Sequence, residues 1–101
     1  MSGWHDVCGD EELAPGELRS VRADYCDVLV ARTERGLSAV SNLCPHALYP
    51  LDRGLLEAGT ITCPIHSWCF DVRTGSALRP PGVQLRVYPV RLEEGRIQVM
   101  V

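Results

Sequence analysis

Residues 27–33 (DVLVART) and 37–43 (LSAVSNL) flank Glu34-Arg35-Gly36. Two β-like runs separated by polar residues and a glycine free to take positive φ predict a hairpin. The same pattern recurs along the chain. Residues 67–72 and 76–78 flank Arg73-Thr74-Gly75, and residues 85–92 and 96–101 flank Glu93-Glu94-Gly95. Residues 60–63 read as a short strand running into Pro64. In the last hairpin, alternation sets Leu85, Val87 and Pro89 against Arg86 and Tyr88, and lines Ile97, Val99 and Val101 along one face. No stretch keeps a helical period over three turns. The seven prolines and nine glycines are scattered as punctuation, without a linker, a low-complexity tract or an internal repeat. The expectation is a single all-β domain over residues 1–101, sandwich or barrel.

Composition narrows the function classes. Apolar residues make up 46% and charged residues 23%, as in ordinary globular proteins. No apolar run approaches the ~18 residues that a membrane-spanning helix needs. Residues 1–10 contain no basic region followed by an apolar stretch, so the expectation is a cytoplasmic protein with no membrane partner. The formal net charge of −3 disfavours a nucleic-acid partner, since phosphate recognition needs a basic face. All ten basic residues are arginines, and Asp6, Asp10, Glu11, Glu12 and Glu17 precede the first of them, Arg19. That acidic segment reads as a solvated edge, or as a steering patch for a basic redox partner. Five cysteines, an odd number without a secretory signal, argue against a disulfide framework and for ligands or reactive thiols.

The chemistry concentrates in two short segments, Cys44-Pro45-His46 and Cys63-Pro64-Ile65-His66, with sixteen residues between His46 and Cys63. Each offers one thiolate and one imidazole. Each proline fixes its own φ and pushes the preceding cysteine into an extended conformation, so the loop is pre-shaped. Side by side, such loops would present a ligand set that suits a cluster with one thiolate-bound and one imidazole-bound iron, or a mononuclear site. A structural Cys₂His₂ zinc site accepts the same ligands, but zinc sequences usually pair like with like, as this chain does not. A Cys–His nucleophile finds no supporting signature around either cysteine.

C-x-H followed after sixteen residues by C-x-x-H resembles the Rieske iron–sulfur family. The segment Trp68-Cys69-Phe70-Asp71-Val72-Arg73-Thr74-Gly75 is similar to the stretch after the second loop in bacterial Rieske ferredoxins. Pro80-Pro81-Gly82 resembles the proline loop that covers the cluster. The resemblance implies a [2Fe–2S] cluster with Cys44 and Cys63 on one iron and His46 and His66 on the other. It implies an antiparallel β-sandwich base with a small cluster-binding subdomain inserted at about residues 43–82. Rieske proteins of respiratory and photosynthetic complexes carry an extra cysteine in each loop, forming a disulfide. Tyr49 and Ile65 occupy those positions here. High-potential members also place two hydroxyl donors at the positions of Trp68 and Phe70. The respiratory and photosynthetic proteins also carry an N-terminal membrane anchor, which is not expected here, and this departure and the missing disulfide cysteines favour the soluble ferredoxin branch.

By resemblance, such a ferredoxin takes electrons from a flavoprotein NAD(P)H reductase and passes them singly to a terminal ring-hydroxylating oxygenase. The chain is expected to be an electron carrier, monomeric in isolation, and not an enzyme. His5 is the only histidine outside the two loops, so a separate two-His-one-carboxylate iron site is excluded. Cys8 and Cys26 read as small buried hydrophobes, Cys69 as packing, and Trp68 and Phe70 as shields of the cluster loops. Two other readings stand: a non-catalytic subunit similar to the small subunit of nitrite reductase, and a zinc-stabilised interaction module.

Overall fold

Val28, Leu29, Val30 and Ala31 are each at most 1% exposed. A strand buried on both faces reads as an unbroken apolar run, and this one lies at the centre of the fold. In a computed structural model, residues 3–45, 49–65 and 67–101 are described. Their strands are β1 (Trp4–Gly9), β2 (Leu18–Ala23), β3 (Cys26–Thr33), β4 (Gly36–Ser41), β5 (Leu43–Cys44) and β6 (Tyr49–Pro50). They continue with β7 (Leu55–Glu57), β8 (Thr60–Thr62), β9 (Cys69–Asp71), β10 (Ala77–Arg79), β11 (Val90–Glu93) and β12 (Arg96–Met100). Short 3-10 turns at Asp10–Glu12 and Leu51–Arg53 interrupt them. The strands pair antiparallel in the orders β1-β12-β11, β2-β3-β4, β10-β9-β8-β7 and β5-β6. This is the all-β architecture that the sequence predicts.

Two cores lie against opposite faces of the β2-β3-β4 sheet. Val28, Val30 and Ala39 meet Cys8, Leu13, Tyr88, Ile97 and Val99 on the side of the β1-β12-β11 sheet. Leu29, Ala31 and Val40 meet Cys44, Leu51, Ile61, Cys63, Phe70, Val72 and Leu85 on the other side. Period-2 alternation along β3 therefore feeds both cores from one strand.

The predicted hairpin around Gly36 forms β3-β4. Thr33 pairs with Gly36, whose φ of 108° is open to glycine and closed to most side chains. The hairpin around Gly75 also forms, with shorter arms than the sequence suggests. Gly75 has φ 75°, and a Cβ there would lie 2.5 Å from the Leu85 carbonyl oxygen. The third hairpin needs correction, because β11 begins at Val90 and not at residue 85. Leu85 is buried as predicted, but from Val87 the predicted alternation reverses. Val87 is 43% exposed while Tyr88 is 7% exposed. Tyr88 donates its N–H to the Ala39 carbonyl, and Ser41 donates to the Arg86 carbonyl, each at 2.9 Å. The segment thus clings to β4, and Pro89, lacking an N–H, cannot extend it as a regular strand.

Candidate metal centre

Each cysteine of the two motifs ends a short strand that the core holds in place. Cys44 closes β5 and pairs with Tyr49 of β6, as Leu43 pairs with Pro50. Cys63 follows β8 directly, and its N–H donates to the Trp68 carbonyl at 2.7 Å, just before β9. Ser67, next to Trp68, takes φ 56°. Both cysteines are 0% exposed and belong to the same core cluster, and neither is in a disulfide. Pro45 and Pro64 are exposed, so each loop turns outward just past its thiol. His46 and His66, the two imidazoles predicted as ligands, lie outside the described residues.

The surroundings are apolar. Tyr49, Ile65 and Trp68 are partly buried against the cluster that contains both thiols, as are Leu56, Ala77 and Val83. Tyr49 and Ile65, at the positions that resemblance marks for a disulfide, are hydrophobic packing here. The Phe70 ring is fully buried, with its centroid 6.5 Å from that of Trp68 and the planes tilted by 51°. Phe70 therefore shields the thiols from within the core, as expected. The Pro80-Pro81-Gly82 loop is anchored at both ends. Ala77 donates its N–H to the Val83 carbonyl at 2.9 Å, and Gln84 Nε2 donates to the Thr74 and Leu85 carbonyls at 2.6 and 2.9 Å. Val83 carries this loop onto the same core as Cys44 and Cys63.

Two fully buried thiols in one hydrophobic core cluster, neither of them in a disulfide, fit a thiolate-bound metal. A soft cation neutralises the ligands where water cannot. The donor set of the two motifs, two thiolates and two imidazoles, fits a mixed-ligand iron–sulfur cluster.

The other cysteines take separate places. Cys8 is buried in the core on the far side of β3, where burial pushes its thiol above the usual cysteine range. Cys26 is half-buried. Burial, helped by a hydrogen bond to Cys26, raises the Tyr88 hydroxyl above the usual tyrosine range. Cys69 sits in β9 opposite Thr62, whose hydroxyl donates to its sulfur at 3.5 Å. Its neighbour Phe70 points into the core, so alternation turns Cys69 away from it. Cys8→Ser, Cys26→Ser and Cys69→Ser are each expected to keep the visible and resonance spectra of the holoprotein. Cys8→Ser is also expected to lose about 1–3 kcal/mol of stability by burying a hydroxyl, measurable by urea denaturation. A lost spectrum in Cys69→Ser would overturn the ligand assignment.

The acidic segment is largely paired. Asp6 receives Arg96 Nε at 2.9 Å and Nη2 at 2.5 Å, Asp10 pairs with Arg32, and Glu12 lies 3.9 Å from Arg96. The Arg96 hydrogen bond holds the Asp6 carboxyl below the usual range. Its contribution to stability is therefore present above the unfolded-state carboxyl pKa and lost as pH falls through the lower folded value. With three of its five carboxylates ion-paired to arginine, the segment ties β1 to β12 and β3 more than it projects a steering field.

Comparison with known proteins gives the family. The chain is 33% identical over 97 residues to the ferredoxin component of a naphthalene 1,2-dioxygenase system from Pseudomonas aeruginosa, spanning 95% of this chain and 93% of that one. It superposes with TM-score 0.88 and 33% identity on a chain in the complex of reduced oxygenase and oxidized ferredoxin of carbazole 1,9a-dioxygenase, covering 95% and 91% of the two. A chain described as an NADH-dependent nitrite reductase small subunit from Mycobacterium tuberculosis superposes with TM-score 0.87 and 32% identity over 100% of this chain and 96% of that one. Residues 3–89 match the Rieske [2Fe-2S] domain, and the chain belongs to that family.

Proposed function

We propose that this chain is the ferredoxin component of a multicomponent oxygenase system, with Cys44 and Cys63 holding one iron of its [2Fe–2S] cluster and His46 and His66 the other. The observation that carries the reading is the pair of fully buried, unbridged thiols at the roots of two loops that share one core. When bound, the cluster supplies a one-electron couple. The chain's own residues do the rest. Cys44 and Cys63 anchor the inner iron from β5 and from the end of β8. Leu51, Phe70, Ile61 and Val72 exclude water behind them. Pro45 and Pro64, each exposed directly after its thiol, leave the outward side of the site open to a partner. The partners are a flavoprotein reductase as donor and a terminal oxygenase as acceptor, and residues 43–82 act as the cluster-binding unit. A cytoplasmic carrier, monomeric in isolation, meets these partners by collision.

The test is the electron paramagnetic resonance spectrum of the dithionite-reduced protein together with iron and sulfide analysis. Two irons and two labile sulfides per chain, with nitrogen couplings from two histidines, are expected. Zinc alone, or an all-cysteine cluster, would end the proposal. A second reading draws on the Mycobacterium tuberculosis neighbour, in which the chain would serve as a small subunit of a larger reductase. Reduction of an oxygenase by the isolated, reduced protein supports the ferredoxin reading. Obligate co-purification with a large subunit, and no such transfer, supports the other.

A further inference from the structure

We infer that the 3-10 turn Leu51–Arg53 with Gly54 is a strut that sets the spacing of the two ligand loops, and that Asn42 and Gly54 are its positioning residues. The inference rests on the ligand reading proposed above and adds residues outside both motifs.

One end of the strut is stapled to the first loop. Asn42, 2% exposed, stands just before β5 and Cys44. Its carbonyl accepts the Leu51 N–H at 2.5 Å, and its side-chain Oδ1 accepts the Asp52 N–H at 2.9 Å. Its Nδ2 donates to Asp52 Oδ1 at 3.2 Å and to Asp27 Oδ1 at 3.3 Å, and its N–H donates to the Asp27 carbonyl at 2.8 Å. Ser20 Oγ completes the group by donating to the other Asp52 oxygen at 3.0 Å. Every polar group of Asn42 is thus used, and the residue before β5 is joined to the residues after β6 by one side chain that also reaches β3. A buried network this fully satisfied fixes geometry.

The other end is pressed onto the second loop. Gly54 has φ −88°, an ordinary value for any residue, so its glycine is not there for its dihedral angles. It is there for approach. A Cβ at Gly54 would collide with the Thr62 carbonyl oxygen and lie 3.0 Å from the Thr62 carbonyl carbon. Thr62 is the last residue of β8, and Cys63 follows it. Between the two ends, Leu51 is 0% exposed in the core that contains both thiols. No disulfide ties the loops together, since none of the five cysteines is in one. The strut is therefore a direct mechanical link between the root of Cys44 and the root of Cys63. A metal centre needs its ligands held to about 0.5 Å, and the partners behind the ligands supply that.

The experiment compares holoproteins: the unaltered chain, Asn42→Ala, Gly54→Ala, Asp52→Asn and Ile97→Val. Three quantities are read: the rate at which a ferrous chelator bleaches the cluster, the line widths of the reduced-state resonance spectrum, and the melting temperature. Asn42→Ala and Gly54→Ala are expected to bleach about tenfold faster, with broadened lines. Asp52→Asn keeps the Oδ1 acceptor and the backbone N–H, so it should follow the unaltered chain. Ile97→Val lies in the core across β3 and should lower the melting temperature while leaving lines and bleaching unchanged. The inference is overturned if Asn42→Ala and Gly54→Ala lower the melting temperature with lines and bleaching unchanged, or if Ile97→Val matches them in all three readouts. Should neither strut variant fold, Asp52→Ala decides, because it deletes one carboxylate and keeps both backbone bonds. Faster bleaching then supports the strut, and unchanged bleaching overturns it. If the unaltered chain lacks a mixed-ligand spectrum, the ligand reading fails instead.

Discussion

Cys44→Ser and Cys63→Ser are each expected to abolish the cluster spectrum and to lower the melting temperature of the chain as isolated. Two effects combine. Binding free energy of a metal centre is also folding free energy, so losing a ligand withdraws stability from both loops. Serine also leaves a hydroxyl in a site that is 0% exposed and lined by Leu51, Ile61, Phe70 and Val72, where an unsatisfied polar group costs about 1–3 kcal/mol. His46→Ala and His66→Ala are expected to lose the spectrum through the first effect alone. Visible circular dichroism and thermal unfolding, run on each variant beside Cys69→Ser, check the set. A chain that keeps its cluster as Cys63→Ser and loses it as Cys69→Ser would refute the assignment of the inner iron.

The central hairpin and the two candidate ligand motifs were legible in the sequence because their signals are local. Residues 28–31 announce a doubly buried strand by composition, and Gly36 announces the turn beside it. The two Cys-Pro steps declare a pair of shaped loops. Other parts depend on contacts that no short window contains. Asn42 bonds to Asp27 and Asp52, fifteen and ten positions away, and Gly54 is required by the Thr62 carbonyl rather than by its own dihedral angles. The β2-β3 hairpin was missed for a related reason. Its turn places Asp24 at φ 51° and Tyr25 at φ 70°, without the glycine that usually marks positive φ. Register with β3 pays for that strain, through six consecutive pairs from Leu18↔Ala31 to Ala23↔Cys26. Tyr88 misled the alternation because its ring fills the far core while its backbone clings to β4.

Phe70 sets the second large expectation, a reduction potential near the low end of the Rieske range, which spans roughly −150 to +300 mV. Hydrogen bonds to the cluster sulfurs stabilise the more negative, reduced state, and so raise the potential. By resemblance, the high-potential members place hydroxyl donors at the positions of Trp68 and Phe70. Phe70 is 0% exposed in hydrocarbon and carries no donor. Trp68 offers only an indole N–H, on a half-buried ring packed against the same core and stacked at a tilt on Phe70. A hydrogen bond to a charged acceptor contributes about 1.5–3 kcal/mol, so the missing hydroxyl at Phe70 alone lowers the potential by up to roughly 65–130 mV. Such a value suits a carrier reduced by a nicotinamide-driven flavoprotein and oxidised by an oxygenase. Phe70→Tyr restores one hydroxyl with the ring nearly unchanged in shape. It is expected to raise the potential by up to roughly 65–130 mV, a shift worth about tenfold in the electron-transfer equilibrium for each 59 mV. Protein-film voltammetry on the two proteins measures both quantities. A potential well above +100 mV in the unaltered chain would contradict the ferredoxin role. An unchanged potential in a cluster-bearing Phe70→Tyr protein would show that the absent hydroxyl is not the lever.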